Sequence, residues 1–371
     1  MRNRIRQLGL ALFAVMILMQ SAMALESAPS TSAGAVMLME ADSGTVLYEA
    51  NADAQMLIAS TTKIMTALVV LEQCSPDEMV TVSASNTAVE GSSMYLQPGK
   101  AYTVEELLYG LLLVSGNDAA LALAEHTAGS VEAFAALMNE KAAKIGCKNT
   151  AFVNPHGLNA DGHYSSARDL AMIMAEAMKN EEFRMITGTK NYTLGTQTYI
   201  NHNRLLWSCD GVIGGKTGYT IAAGRTLVSC AERDGMQLIC VTLGDPDDWK
   251  DHTALYDWGF SNYQHLQFSA NETYAQLPVI SGTSSEVAVT LAEDCGLVLP
   301  ASAEYSMILE LPAFVFAGLH RGQYAGWLVV TSAGEEIGRA KLIYAEDAAI
   351  DENVALTGWE RTGRLWRLAA R

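Results

Sequence analysis

The order of strand-like and helix-like runs between residues 35 and 244 constrains this chain more than any other feature. The stretch "AVMLMEADSGTVLYEA" places two apolar runs on either side of Asp42-Ser43-Gly44, the pattern of a β-hairpin over 35–49. Helix-patterned runs follow at 62–72, 103–114, 119–128, 130–145 and 166–178, with Thr103 and Glu106 at capping-box spacing. Strand texture then returns in "YTLGTQTYI", "GGKTGYT", "RTLVSCAE" and "MQLICVTLG", the last two separated by the turn signal Asp234-Gly235. Helices inserted between the strands of one antiparallel sheet predict a mixed α/β (α+β) layered domain.

From Tyr263 onward the texture changes to short alternating runs, "TYAQLPVI", "EVAVTL", "YSMILELP", "GWLVVTS" and "AKLIYAE", separated by Gly, Pro and Ser turns. They predict a small all-β, sandwich-like domain. The two ends read differently again. The start is basic through Arg6, then apolar over 8–19, then closes on Ser21-Ala22-Met23-Ala24. That run is too short for a membrane span and fits a leader cleaved after Ala24. The last residues, 357–371, set Arg361, Arg364, Arg367 and Arg371 on one helical side and Trp359, Leu365, Trp366 and Ala369 on the other. Such a helix suits an anionic membrane surface, or the acidic body of the protein itself. The expected organisation is therefore 1–24 leader, 25–262 mixed α/β domain, 263–346 β domain and 347–371 basic tail.

Composition excludes some classes. With 371 residues of which 50% are hydrophobic, the chain has ample material for a core, and disorder is ruled out. Its 24 Lys plus Arg against 41 Asp plus Glu leave a net charge of −17, which argues against nucleic acid as a partner. The six cysteines show no zinc spacing, so no metal is expected. In an exported chain they are free to pair. Cys230 and Cys240 flank Asp234-Gly235 and could face each other, or all six could be buried thiols.

Three short motifs carry candidate chemistry. Ser60-Thr61-Thr62-Lys63 opens an apolar-periodic run, so Ser60 and Lys63, three residues apart, share a helix face. A lysine there acts as a base only when neutral, which burial beside another cation favours. Ser115-Gly116-Asn117 is a loop tip between two helical runs, where a plain helix cap is the bland explanation. Lys216-Thr217-Gly218 lies in the glycine-rich strand "GVIGGKTGYT", where a lysine and a hydroxyl can hold a carboxylate. A phosphate loop does not fit that strand, because Asp210 stands where its first glycine is required. His156 and His163 near Asp161 lack the HExxH spacing of a metalloprotease, and structural roles are expected for them.

Taken together, the three motifs in this order resemble those of the low-molecular-mass penicillin-binding proteins, serine-type D-Ala-D-Ala carboxypeptidases. The likeness extends through "FVNPHGL", "HYSSARDLA" and "NHNRLLW", and more loosely into "LHRGQYAGWLVV". It implies a β-lactamase/transpeptidase-like domain, an antiparallel sheet flanked by helices, followed by the β domain. It implies Ser60 as nucleophile, Lys63 as its base and Ser115 as a proton relay. Asn117 would bind the substrate's backbone amide. Lys216 and Thr217 would hold the terminal carboxylate, with Lys216 and Thr217 also polarising Ser115, and the backbone N–H groups of Ser60 and Tyr219 would form an oxyanion hole beside Gly218. No cofactor is implied. The implied partners are peptidoglycan stem peptides ending in D-Ala-D-Ala and β-lactams as inhibitors, at the bacterial cell envelope. Some members have an arginine where His202 stands, which leaves open whether His202 or Arg204 meets the carboxylate. A class A β-lactamase fits less well, because Pro155 occupies the place of its Glu before Leu158-Asn159. A DD-endopeptidase and a non-catalytic wall-binding protein remain the other readings.

Overall fold

The computed structural model describes residues 27–351, so the leader and the basic tail expected from the sequence lie outside the described residues. Contacts divide the chain into two compact units that meet in sequence at Asn262 and Tyr263.

The first unit is built on a five-stranded antiparallel sheet of order β2-β1-β9-β8-β7. Its strands are β1 (Ala35–Glu40), β2 (Val46–Ala50), β7 (Val212–Thr220), β8 (Gly224–Arg233) and β9 (Met236–Leu243). The amino-terminal hairpin thus pairs with the last strand of the unit, Met37 opposite Val241 and Met39 opposite Ile239. Every residue of β1 is buried, because both faces of the sheet are covered. One face, carrying Met37, Met39, Ile239 and Val241, joins a cluster with Ile64, Leu68, Leu107, Leu111, Leu123, Phe134 and Ile173 from the helices. The other receives the helix Asp248–Asn262. Gly259 lets that helix approach, since a Cβ there would lie 2.8 Å from Leu238 Cδ1 and 3.2 Å from Leu38 Cδ2. Each large side chain removed from water in this core contributes about 1.5–3 kcal/mol.

The helices start where their caps stand. Thr103 Oγ1 accepts from the Glu106 N–H at 3.1 Å while Glu106 Oε2 accepts from the Thr103 N–H at 2.9 Å, a reciprocal capping box on the helix Val104–Leu113. Ser130 and Ser166 cap the helices Val131–Ile145 and Ala167–Met178 by one bond each, accepting from the Ala133 and Asp169 N–H groups.

Three helices escape the sequence reading: Glu181–Gly188, Leu205–Ser208 and Asp248–Asn262. The last buries Asp248, Asp251, His252 and Tyr256 instead of an apolar stripe, so its hydrophobic period is weak. Its polar groups are satisfied by distant partners: the Ser32 N–H donates to Asp251 Oδ2 at 2.6 Å, and Ser229 Oγ bonds His252 Nδ1 and Tyr256 Oη at 2.7 Å each. The strands of "YTLGTQTYI", β5 (Asn191–Leu194) and β6 (Gln197–Ile200), form a two-stranded sheet of their own and do not join the main one. Cys230 and Cys240 do not face each other either. Cys230 is paired with Ile239 and Cys240 with Ser229, so the two side chains leave opposite faces of the sheet, and all six cysteines are free thiols.

The second unit holds a six-stranded sheet and the two-stranded sheet β10 (Tyr263–Phe268) with β13 (Cys295–Pro300). Val287, Val289, Leu328, Val330 and Leu342 of the larger sheet share a core with Phe268 and Leu297 of the smaller one, which makes a sandwich-like layer pair.

Replacing the cap in Thr103→Ala leaves the Glu106 N–H unpaired. The expected loss is about 1 kcal/mol, read as a lower urea midpoint with an unchanged slope.

Candidate active site

Ser60 sits on a short 3-10 turn, Ala59–Thr62, that runs directly into the helix Lys63–Gln73. The turn is held by its own hydroxyls: Thr61 Oγ1 donates to Ile58 O at 2.6 Å and Thr62 Oγ1 to Ala59 O at 2.8 Å. Ala59 has φ +46°, a conformation that costs an alanine energy and persists only where the surroundings enforce it. Gly157 is part of that enforcement. Its φ is +90°, and a Cβ there would lie 1.9 Å from Ala59 O, so the loop after Pro155 packs against the turn with no room for a side chain. His163 supports the turn from behind. The Val153 N–H donates to its Nδ1 at 3.2 Å, which makes Nε2 the protonated nitrogen, and Nε2 lies 2.8 Å from Thr62 Oγ1. Burial pushes the His163 pKa down to about 4, so the ring stays neutral.

Lys63 is fully buried. Its Nζ lies 2.6 Å from Asn117 Oδ1, 2.6 Å from His156 O and 3.0 Å from Ser60 Oγ. The orientation of Asn117 is fixed, because its Nδ2 donates to Glu90 O at 2.7 Å and a carbonyl can only accept. Two of the three partners of Lys63 are therefore pure acceptors, and the third is a hydroxyl. An ammonium can donate to all three, while a neutral amine can give two N–H groups to the carbonyl oxygens and turn its lone pair to the Ser60 hydroxyl; burial decides between them. Burial holds the Lys63 pKa well below its usual range, with the Lys216 charge acting in the same direction and Asp118 opposing it.

The second motif follows from its neighbours. Ser115 has φ +64° at the junction between two helices, and Asn117 begins the helix Asn117–Ala128. Asp118 does not cap that helix as a lone side chain. It ties the crossing segment down, Oδ1 accepting from the Met94 N–H and Oδ2 from Ser93 Oγ and the Leu96 N–H.

Strand β7 brings the third motif against the turn. A Cβ on Gly218 would lie 2.4 Å from Thr226 Oγ1 and 2.9 Å from the Ser60 nitrogen, so only glycine permits this approach. Lys216 is 1% exposed, burial lowers its pKa to about 7, and its Nζ donates to Thr217 O at 2.8 Å. Among the described residues no hydrogen bond joins Lys216 to Ser115.

These elements frame a cleft of about 1100 Å³. Ser60, Ser115, Thr217, Gly218 and Tyr219 line it, whereas Lys63, Asn117 and Lys216 are buried behind its wall. Tyr219 is 64% exposed at the rim. His202 and Arg204 both line the cleft. Three lining residues carried no sequence signal. Arg225 donates to Asp248 Oδ1 at 2.6 Å and lies 5.3 Å from the Trp249 ring, a cluster assembled from separate segments. The His156 carbonyl and the His163 ring are likewise invisible to motif reading, since one acts through its backbone and the other through a turn.

Gly157→Ala forces a methyl into the Ala59 carbonyl in an unfavourable backbone region. The expected result is a loss of at least about 1–3 kcal/mol in urea unfolding, together with slower labelling by a fluorescent penicillin in the fraction that remains folded.

Comparison with known proteins agrees with this architecture. Residues 22–247 match the family model described as D-alanyl-D-alanine carboxypeptidase. D-alanyl-D-alanine carboxypeptidase DacF of Bacillus subtilis is 34% identical over 332 residues, 85% of each chain. DacC of Escherichia coli is 37% identical over 361 residues, covering 91% of this chain and 88% of its own. The crystal structure of penicillin binding protein 5 from Haemophilus influenzae superposes with a TM-score of 0.75 at 33% identity, covering 87% of this chain and 99% of that one. The chain belongs to the D-alanyl-D-alanine carboxypeptidase family and is a serine-type peptidase of the low-molecular-mass penicillin-binding protein class.

Proposed function

We propose that the carboxypeptidase reaction runs through Ser60, with Lys63 as its base, on peptidoglycan stem peptides ending in D-Ala-D-Ala. The observation that carries this reading is the fully buried Lys63 amine, its Nζ 3.0 Å from Ser60 Oγ. Ser60 Oγ attacks the carbonyl carbon of the penultimate D-Ala as its proton passes to Lys63 Nζ. The negative oxygen that develops is met by the N–H groups of Ser60 and Tyr219. The approach of Gly218 to the Ser60 nitrogen supports that pairing. The C–N bond then breaks, and the departing amine of the terminal D-Ala takes a proton through Ser115. Water attacks the resulting ester in the reverse sense, losing its proton to the base, and returns Ser60 with the shortened peptide.

Lys216 and Thr217 hold the terminal carboxylate. Burial leaves Lys216 with a pKa of about 7, and an arriving carboxylate favours its charged form. Asn117 positions Lys63 through Oδ1 and gives one of its two amide N–H groups to Glu90 O, which leaves the other for the substrate's backbone amide. β-Lactams acylate the same serine. The leader-like pattern over 1–24 supports export, to the outer face of the cytoplasmic membrane or beyond it as a secreted protein, and the basic amphipathic pattern of 357–371 supports a peripheral membrane contact.

The test is D-Ala release from diacetyl-Lys-D-Ala-D-Ala by residues 25–371 beside Ser60→Ala. Release should fall more than about 10³-fold in the variant. Undiminished release by Ser60→Ala contradicts the assignment of the nucleophile. Absence of release from an enzyme that a penicillin acylates at Ser60 contradicts the carboxypeptidase substrate and points to crosslinked peptides.

A further inference from the structure

Away from the cleft, three side chains of complementary ligand chemistry meet on the surface of the first unit. Cys74 Sγ, a Glu78 carboxylate oxygen and a His126 ring nitrogen all lie within 4.8 Å of one another. The expectation of no metal rested on cysteine spacing, and here a single cysteine and Glu78 meet a histidine 48 residues beyond Glu78.

The residues are held for the purpose by their backbone. Cys74 is the C-terminal cap of the helix Lys63–Gln73, and its N–H donates to Val70 O. His126 lies in the last turn of the helix Asn117–Ala128. Both residues thus stand at the C-terminal ends of their helices, where the helix dipole favours positive charge. Glu78 is steadied from both sides: Oε1 accepts from the Ser75 N–H at 2.6 Å, and its main-chain carbonyl accepts from the Val104 N–H at 2.9 Å. Its other oxygen, Oε2, lies 3.2 Å from His126 Nε2. Donor atoms around a tetrahedral zinc ion stand about 3.3–3.8 Å apart. The His126–Glu78 pair is close to that spacing, and the half-buried Cys74 thiol, now 3.4 Å from Thr127 Oγ1, would exchange that contact for the ion.

We infer that Cys74, Glu78 and His126 form a binding site for a zinc-class divalent cation, with water as fourth ligand, distinct from the Ser60 cleft. A sulfur, an imidazole and one carboxylate select zinc over calcium or magnesium, which need oxygen shells. Binding proceeds with loss of the thiol proton to solvent, so Cys74 ligates as thiolate and affinity rises with pH. The ion ties together the far ends of the two helices that begin at Lys63 and at Asn117. Its effect is expected on stability, through binding to the folded state alone, with little change in turnover.

The experiment is titration of residues 25–371, purified in the presence of a chelator and then freed of it, with Co²⁺ followed by visible absorption and displacement by Zn²⁺. The wild type should develop a thiolate-to-cobalt charge-transfer band and tetrahedral d–d bands at one equivalent, and lose both on adding Zn²⁺. Cys74→Ser should lose the charge-transfer band. His126→Ala and Glu78→Gln should each weaken binding by at least about tenfold. Penicillin labelling at Ser60 should be retained in all three variants, which reports that they are folded. Thermal midpoints should rise with Zn²⁺ in the wild type and not in Cys74→Ser. A wild type that shows no charge-transfer band, or a Cys74→Ser variant that keeps it, overturns the proposal. Because the readout is spectroscopic, failure here leaves the assignment of Ser60 untouched.

Discussion

The site depends on one buried amine. Lys63 has no contact with water, and its nitrogen faces two carbonyl oxygens and one hydroxyl. A charged ammonium in that place carries a large desolvation cost, and Lys216 close by adds to it. The neutral amine loses nothing, because its two hydrogens and one lone pair each have a partner. Asp118 partly offsets the positive surroundings, and the same carboxylate anchors the segment carrying Ser93 and Leu96. The chemistry and the packing of this region therefore rest on shared groups.

Placing that amine requires three separate chain segments to converge without side chains in the way. Gly157 lets the loop bearing the His156 carbonyl sit against Ala59, and Gly218 lets β7 sit against the Ser60 nitrogen. Neither position tolerates a Cβ at its present distance. Strand β7 is itself an edge of the five-stranded sheet, so its position follows from the pairing of β1 with β9 and of β8 with its two neighbours. Closing the sheet between the two ends of the unit is thus what delivers Lys216, Thr217 and Gly218 to the turn that starts the first long helix. The neutral His163 behind that turn completes the arrangement by supporting Thr62.

Much of this was legible in the residues. The hairpin over 35–49, the main helices and the Thr103 capping box follow from periodicity and from side chains that cap in only one way. Ser60, Lys63 and Asn117 share a hydrogen-bonded cluster, and Lys216 to Tyr219 lie on the strand read for them. What escaped was carried by backbone or by distant partners. The His156 carbonyl has no side-chain signature. The helix Asp248–Asn262 buries polar groups that look surface-bound until Ser32, Ser229 and Thr242 are seen to pair with them. The Cys230–Cys240 hairpin was right in its turn and wrong in its facing, because a one-residue offset moves a side chain to the other side of a sheet. Lys216 also bonds a group no motif marks, the Thr217 main-chain carbonyl.

The central claim is that Lys63 rests neutral beside Ser60 at working pH, and it can be read at the residue itself. Lysines labelled with ¹³C at Cε would be titrated by NMR in residues 25–371, with the Lys63 resonance assigned by Lys63→Arg. A group whose pKa is depressed by burial stays neutral as pH falls, until its lowered pKa is reached. The account predicts a Lys63 signal that keeps the neutral-amine shift to pH values where the surface lysines, titrating near their model-peptide value of about 10.4, are already charged. A Lys63 signal that titrates together with the surface lysines would contradict it.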